Sequence, residues 1–209
     1  VTVTVTGLTV GGTPTAGGDV SVATSVDQTA SASVASGVIG GTVTSVTFGV
    51  ALADRVANKT SAAATFSFTT TAGGALAAGS NITLTYPSGF FASAGSPSVQ
   101  ISGGGATGSV ATPTGTQIVI TTATAAIAAS SAVTVTVTGL TMGAATAGSS
   151  TGITIATSVD QTASSGESSG VIGGQVTSPS FNIATPDRVA RKTSAAATFS
   201  FTTTAGGAL

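Results

Sequence analysis

Thr60–Leu76 reads TSAAATFSFTTTAGGAL, and the same run returns unchanged as Thr193–Leu209. Lys59 and Lys192 extend the match by one residue. Phe66 and Phe68 alternate with small hydroxyl residues, which is the period of a strand with one buried face, and Gly73-Gly74 ends it. Working outward, other blocks recur at a similar distance. ATSVDQTAS at Ala23–Ser31 returns at Ala156–Ser164, SGVIGG at Ser36–Gly41 returns at Ser169–Gly174, and DRVA at Asp54–Ala57 returns at Asp187–Ala190, each 133 positions on. VTVTVTGLT at Val1–Thr9 returns as Val133–Thr141, one position closer. The sequence is thus about one and a half turns of a repeat that is the size of a whole domain, far longer than a solenoid coil.

Composition narrows the function classes. Only 5% of residues are charged, against about 25% in an ordinary globular domain. Thr, Ser, Ala and Gly take their place, and no Asp, Glu, Lys or Arg occurs from Thr60 to Val159. Hydroxyls, or groups attached to them, must keep such a surface in water. The net charge of −1 and the lack of any basic patch argue against nucleic acid as a partner. Mean hydropathy is +0.53. The apolar residues are interleaved with Thr and Ser, so no run is long enough for a spanning helix. With 4% aromatics and no Trp, the aromatic girdles of a membrane barrel are missing too, and no membrane insertion is expected. Cysteine is absent, so disulfides and thiolate metal sites are ruled out.

Alternation continues along the chain. Val1–Val10 sends Val1, Val3 and Val5 to one face and threonines to the other, and predicts a strand. Asp19–Asp27 predicts a second, with Gln28–Gly37 as a loop. Val43–Ala53 carries Phe48 and Val50 on one face, and Val176–Ala184 carries Phe181 and Ile183 likewise. Further strands are predicted at Ala63–Thr71, Asn81–Tyr86 (stopped by Pro87), Val99–Ile101, Gln117–Thr122, Ala132–Met142 and Ile153–Val159, with Phe90-Phe91 plugging one end of the core. Ala123–Ala132 is the only helical candidate, short and without charges. Seven or eight short strands per repeat, with turn signals every 8–15 residues, predict an all-β fold of tandem antiparallel β-sandwich repeats with Ig-like topology.

The succession TFSFTTTAGGALAAGSNITLTYPSGF (Thr65–Phe90), TQIVITT (Thr116–Thr122), AAIAASSAVTVTVTGLT (Ala125–Thr141) and GITIATSVDQT (Gly152–Thr162) resembles the tandem Ig-like domains of large extracellular surface and fibre proteins. The resemblance implies stacked β-sandwiches that build stalks, adhesins or sheaths at the cell surface. It implies no ligand, because its motifs are structural.

Residues that could carry chemistry are few. GGGATG at Gly103–Gly108 fits a dinucleotide fingerprint in letters. Ser109–Pro113 follows it and cannot supply the helix that faces a pyrophosphate, so a flexible turn is the reading. GSSTG at Gly148–Gly152 and GESSG at Gly166–Gly170 fit a nucleophile elbow, but the chain has no histidine to serve as base. Neither enzyme activity nor a cofactor is expected. Asp27 and Asp160 occupy matching positions, and one carboxylate per junction is thin for calcium, so turn capping is preferred. Asp54, Arg55, Asp187 and Arg188 sit in tight turns before the Phe strands and are candidates for ion pairs between neighbouring domains. Asn58-Lys59-Thr60 and Asn81-Ile82-Thr83 are N-glycosylation sequons.

The expectation is a non-enzymatic, extracellular structural subunit of a filament, stalk or sheath. The alternative is a cell-surface adhesin or surface-layer domain that binds glycan or another cell. Residues 43–175 form one complete repeat, residues 1–42 the closing strands of a preceding one, and residues 176–209 the opening strands of the next. Neither end can bury Val1, Val3 and Val5, or Phe181, Ile183, Phe199 and Phe201, alone. The expected partner is therefore the protein itself, head to tail, with covalent glycans as a second addition. Completion would come from a continuing polypeptide or from strands donated by neighbouring copies.

Overall fold

A computed structural model describes residues 1–207, so Ala208 and Leu209 of the second copy of the opening stretch lie outside the described residues. The described chain is all-β, and its strands pair antiparallel in several sheets. Residues 1–42 hold a two-stranded pair, β1 (Asp19–Val20) and β2 (Val34–Ala35). Eight strands follow between residues 44 and 157. One sheet has the order β3 (Thr44–Val50), β4 (Ala62–Thr69), β9 (Ala132–Leu140), β6 (Ser98–Ser102). The other has the order β10 (Thr154–Thr157), β5 (Asn81–Thr85), β8 (Gln117–Thr122), β7 (Gly108–Val110). A last hairpin joins β11 (Thr177–Ile183) to β12 (Ala197–Thr202).

Alternation decides what each strand buries. In β4, Phe66 and Phe68 are buried while Ser67 and Thr69 are half-exposed; in β9, Val133, Val135 and Val137 are buried, and Thr134 and Thr138 face out. In the second sheet, Ile82, Leu84, Ile118, Ile120 and Ile155 meet them in one continuous apolar core. Burial of these side chains contributes roughly 1.5–3 kcal/mol each, which offsets chain entropy where charges and disulfides cannot. Phe90 and Phe91 close one end, as expected. Their rings meet edge to face at 4.9 Å, and Phe91 meets Tyr86 at 5.0 Å. The Tyr86 hydroxyl donates to the carbonyls of Thr114 (2.7 Å) and Gln117 (3.1 Å). Residues 123–131 form no helix; Ile127 instead bridges Leu76, and both are buried.

The N-terminal expectation is corrected. Val1–Val10 forms no strand, although Val133–Thr141 repeats its first nine residues and coincides almost entirely with β9. The reason is the neighbourhood. β9 lies between β4 and β6 and pairs with both, whereas Val1–Val10 has no strand beside it. A strand is a ladder of hydrogen bonds to a neighbour, and propensity without the neighbour leaves extended chain. The strand expected over Asp19–Asp27 shrinks to Asp19–Val20 for the same reason, paired with a β2 where a loop was expected.

Candidate functional site

The two chain ends carry the unsatisfied surfaces, and the rest of the chain shows what would satisfy them. Phe66 and Phe68 are 0% and 1% exposed, but their sequence copies Phe199 and Phe201 are 71% and 49% exposed. Val135 is 0% exposed and its copy Val3 is 80% exposed. The β11–β12 hairpin reproduces β3–β4 strand for strand. Phe181 pairs with Phe199 as Phe48 pairs with Phe66, and both hairpins shift register near their start. Phe181 and Phe199 lean together at 4.9 Å, exposed, with Ile183 half-buried beside them. What the second hairpin lacks is β9.

The turn after each first strand is also duplicated. Asp54 does not pair with Arg55. It takes Lys59 at 3.5 Å, and Asp187 takes Lys192 at 3.9 Å. These are short-range pairs between exposed lysines and half-buried aspartates, worth about 0–1 kcal/mol. The arginines go elsewhere. Arg55 donates from Nε to the Val50 carbonyl (3.0 Å) and from Nη1 to the carbonyls of Ser169 (2.8 Å) and Val171 (3.3 Å), tying the turn to the far end of the chain. Partial burial lowers its pKa from the ordinary arginine value. Arg188 repeats the first bond, to the Ile183 carbonyl, but its Nη2 donates back to Asn182 Oδ1 at 3.0 Å. Asn182 belongs to its own hairpin.

Residues 14–15 and 39–42 at one end and 204–206 at the other meet the central unit, while residues 18–38 are exposed throughout. Gly73 lies so close to the Ile39 and Thr15 carbonyls that a Cβ there would fall 2.1 and 2.6 Å from them. A Cβ on Gly206 would likewise fall 2.0 and 2.6 Å from the Ile172 and Thr146 carbonyl oxygens. The two contacts match residue for residue. Only glycine permits such an approach.

Asp160 is the residue whose role the sequence hid. Its backbone N–H donates to Thr157 Oγ1 at 2.8 Å, so the threonine hydroxyl, and not the aspartate side chain as expected, caps the local turn. Its carboxylate is fully buried and accepts from Gly41 N–H (2.9 Å), Thr71 N–H (3.0 Å) and the Thr71 hydroxyl. Asp27 makes the same local turn through Thr24 but stays exposed. Nothing local distinguishes the two; the distinguishing partners lie 119 and 89 residues away. Among the described residues, no group of three His, Cys, Asp or Glu could hold a metal ion.

The remaining sequence candidates are exposed. Asn58 sits in a turn at φ 60°. Asn81 opens β5, and its Oδ1 accepts the Thr121 hydroxyl at 3.0 Å. A shallow cleft of about 400 Å³ lies between the edges β6 and β7, lined by residues such as Val99, Ile101, Thr107 and Thr136; no aromatic or charged side chain lines it. A second, of about 460 Å³, opens beside Val10, Val38 and Gly40 at the N-terminal junction. No described helix is long and apolar enough to cross a membrane. Compared with known proteins, the chain matches no family model and no curated protein.

Proposed function

We propose that this chain is a non-enzymatic structural subunit of an extracellular filament, stalk or sheath, assembled head to tail. Its architecture is a tandem array of Ig-like β-sandwich repeats of about 133 residues. Residues 43–175 are one complete repeat, flanked by the closing strands of a preceding repeat (1–42) and the opening strands of a following one (176–209). The observation that carries this reading is the contrast between identical sequences. VTVTVTG and TFSFT are buried and paired in the middle of the chain and exposed at its ends. Exposed strand edges with an apolar face are a template for pairing. The contact is heterologous, so it propagates as a line wherever the rotation between copies does not close a ring.

Two further observations support the structural class. The matching glycine contacts at Gly73 and Gly206 give successive units the same stacking geometry. The low-charge, hydroxyl-rich surface, with Asn58 and Asn81 exposed, suits a glycan-covered extracellular polymer. The test is sedimentation velocity over a wide concentration range, with negative-stain imaging of the concentrated sample. Linear oligomers of increasing length are expected. A single species at every concentration, with no elongated particles, would refute assembly.

A further inference from the structure

We infer that the C-terminal hairpin of one copy docks on residues 1–42 of the next in a single register, set by the β4–β9 pairing inside the chain. It rests on the head-to-tail reading and specifies its contacts. Within the chain, Ala64 faces Val137, Phe66 faces Val135 and Phe68 faces Val133. Each residue has an exact sequence copy at an end: Ala197, Phe199 and Phe201 in β12, and Val5, Val3 and Val1 at the N-terminus. The joint therefore pairs Ala197 with Val5, Phe199 with Val3 and Phe201 with Val1 of the neighbouring copy. Val1–Thr9 gains the strand neighbour it lacks, and β12 gains its second one.

The same template assigns a role to Arg188. Arg55 bonds the Ser169 and Val171 carbonyls, and Val56 bridges Gly173 in parallel. Arg188 and Val189 copy the first pair; Ser36, Val38 and Gly40 copy the second. In the joint, the Arg188 guanidinium leaves Asn182 and donates to the Ser36 and Val38 carbonyls of the next copy, while Val189 fills the cleft beside Val38 and Gly40. In the template the planar guanidinium holds its own turn's Val50 carbonyl through Nε and the two distant carbonyls through Nη1, a span that a lysine ammonium covers less well.

Association between copies depends on concentration. Covalent trapping is the suitable readout, and the natural chain has no cysteine to interfere.

The experiment mixes full-length single-cysteine variants under mild oxidation and maps the disulfides by mass spectrometry. Val5→Cys with Ala197→Cys is in register, and both variants keep Phe199 and Phe201. Val1→Cys with Ala197→Cys is four residues out of register, roughly 13 Å along a strand and beyond disulfide reach. The in-register mixed dimer is expected to form at least about tenfold faster than the out-of-register one. Arg188→Ala in the Ala197→Cys partner is expected to slow it about fivefold, with partial recovery in Arg188→Lys. Equal rates for the two mixtures, in a chain that sediments as linear oligomers, would overturn the register and leave the assembly reading standing. No mixed dimer from a chain that stays monomeric at high concentration would overturn both. A double variant, Val5→Cys with Ala197→Cys, that closes on itself as a monomer would also overturn the proposal.

Discussion

Replacing Asp160 by alanine removes a fully buried carboxylate from three donors: the Gly41 and Thr71 N–H groups and the Thr71 hydroxyl. Hydrogen bonds to a charged acceptor contribute roughly 1.5–3 kcal/mol each, so the gross loss is about 5–9 kcal/mol. Against this stands the desolvation cost of the carboxylate itself. It has no cation beside it, and burying an ion costs several kcal/mol. That cost is returned on mutation, so the net destabilisation should be about 2–4 kcal/mol, most of it from donors left without an acceptor. For a chain of this size this lowers the unfolding midpoint by about 5–15 °C. Asp27→Ala is the matched control, since Asp27 carries the same flanking sequence and is exposed. Its expected effect is under about 0.5 kcal/mol. Thermal and urea unfolding followed by far-ultraviolet circular dichroism measures both. If Asp160→Ala unfolds within experimental error of the parent, or if Asp27→Ala costs as much, the clasp does not hold the segment before β3 to the central sheets.

Further outcomes follow from other contacts. Burial pushes the Tyr86 hydroxyl from 10 up to about 12, so the folded state holds the proton more tightly than the unfolded state. The resulting stability is complete below about pH 10 and is lost as pH rises towards 12, up to about 3 kcal/mol in all. Urea midpoints between pH 9 and 12 should fall accordingly, and Tyr86→Phe should flatten that part of the fall. Gly40→Ala would place a Cβ 1.9 Å from the Val159 carbonyl, whereas nothing lies within 4 Å of one at Gly18. Limited proteolysis should therefore cut residues 1–42 faster in Gly40→Ala and at the parental rate in Gly18→Ala. Arg55→Ala deprives the Ser169 and Val171 carbonyls of their shared donor and should cost about 1–3 kcal/mol, while Arg188→Ala in dilute monomer should cost far less. This chain made in a host that glycosylates asparagine is expected to carry sugar at Asn81 or Asn58, and an intact mass equal to the bare 19.4 kDa would count against it.

Between residues 44 and 157, alternation was enough to determine most of the strands and what they bury. Phe66, Phe68, Ile82, Leu84, Ile118, Ile120 and the valines of β9 were all legible as inward residues, because side-chain period is a local property of extended chain. The all-β class followed from the same pattern and from the scarcity of helix formers with charged partners. Three things needed the tertiary structure. Val1–Val10 and β9 share a sequence yet only β9 is a strand, because strand formation depends on a neighbour that sequence pattern does not supply. Asp27 and Asp160 share their flanks yet only Asp160 is buried, because its donors come from positions far along the chain. The arginines were read, with their aspartates, as candidates for ion pairs between neighbouring domains, and nothing local shows that Arg55 bonds distant backbone carbonyls. Lys59 is better placed for Asp54, which frees Arg55 for carbonyls more than a hundred residues away. Local sequence fixes which way a side chain faces along a strand; only the folded chain decides what it meets there.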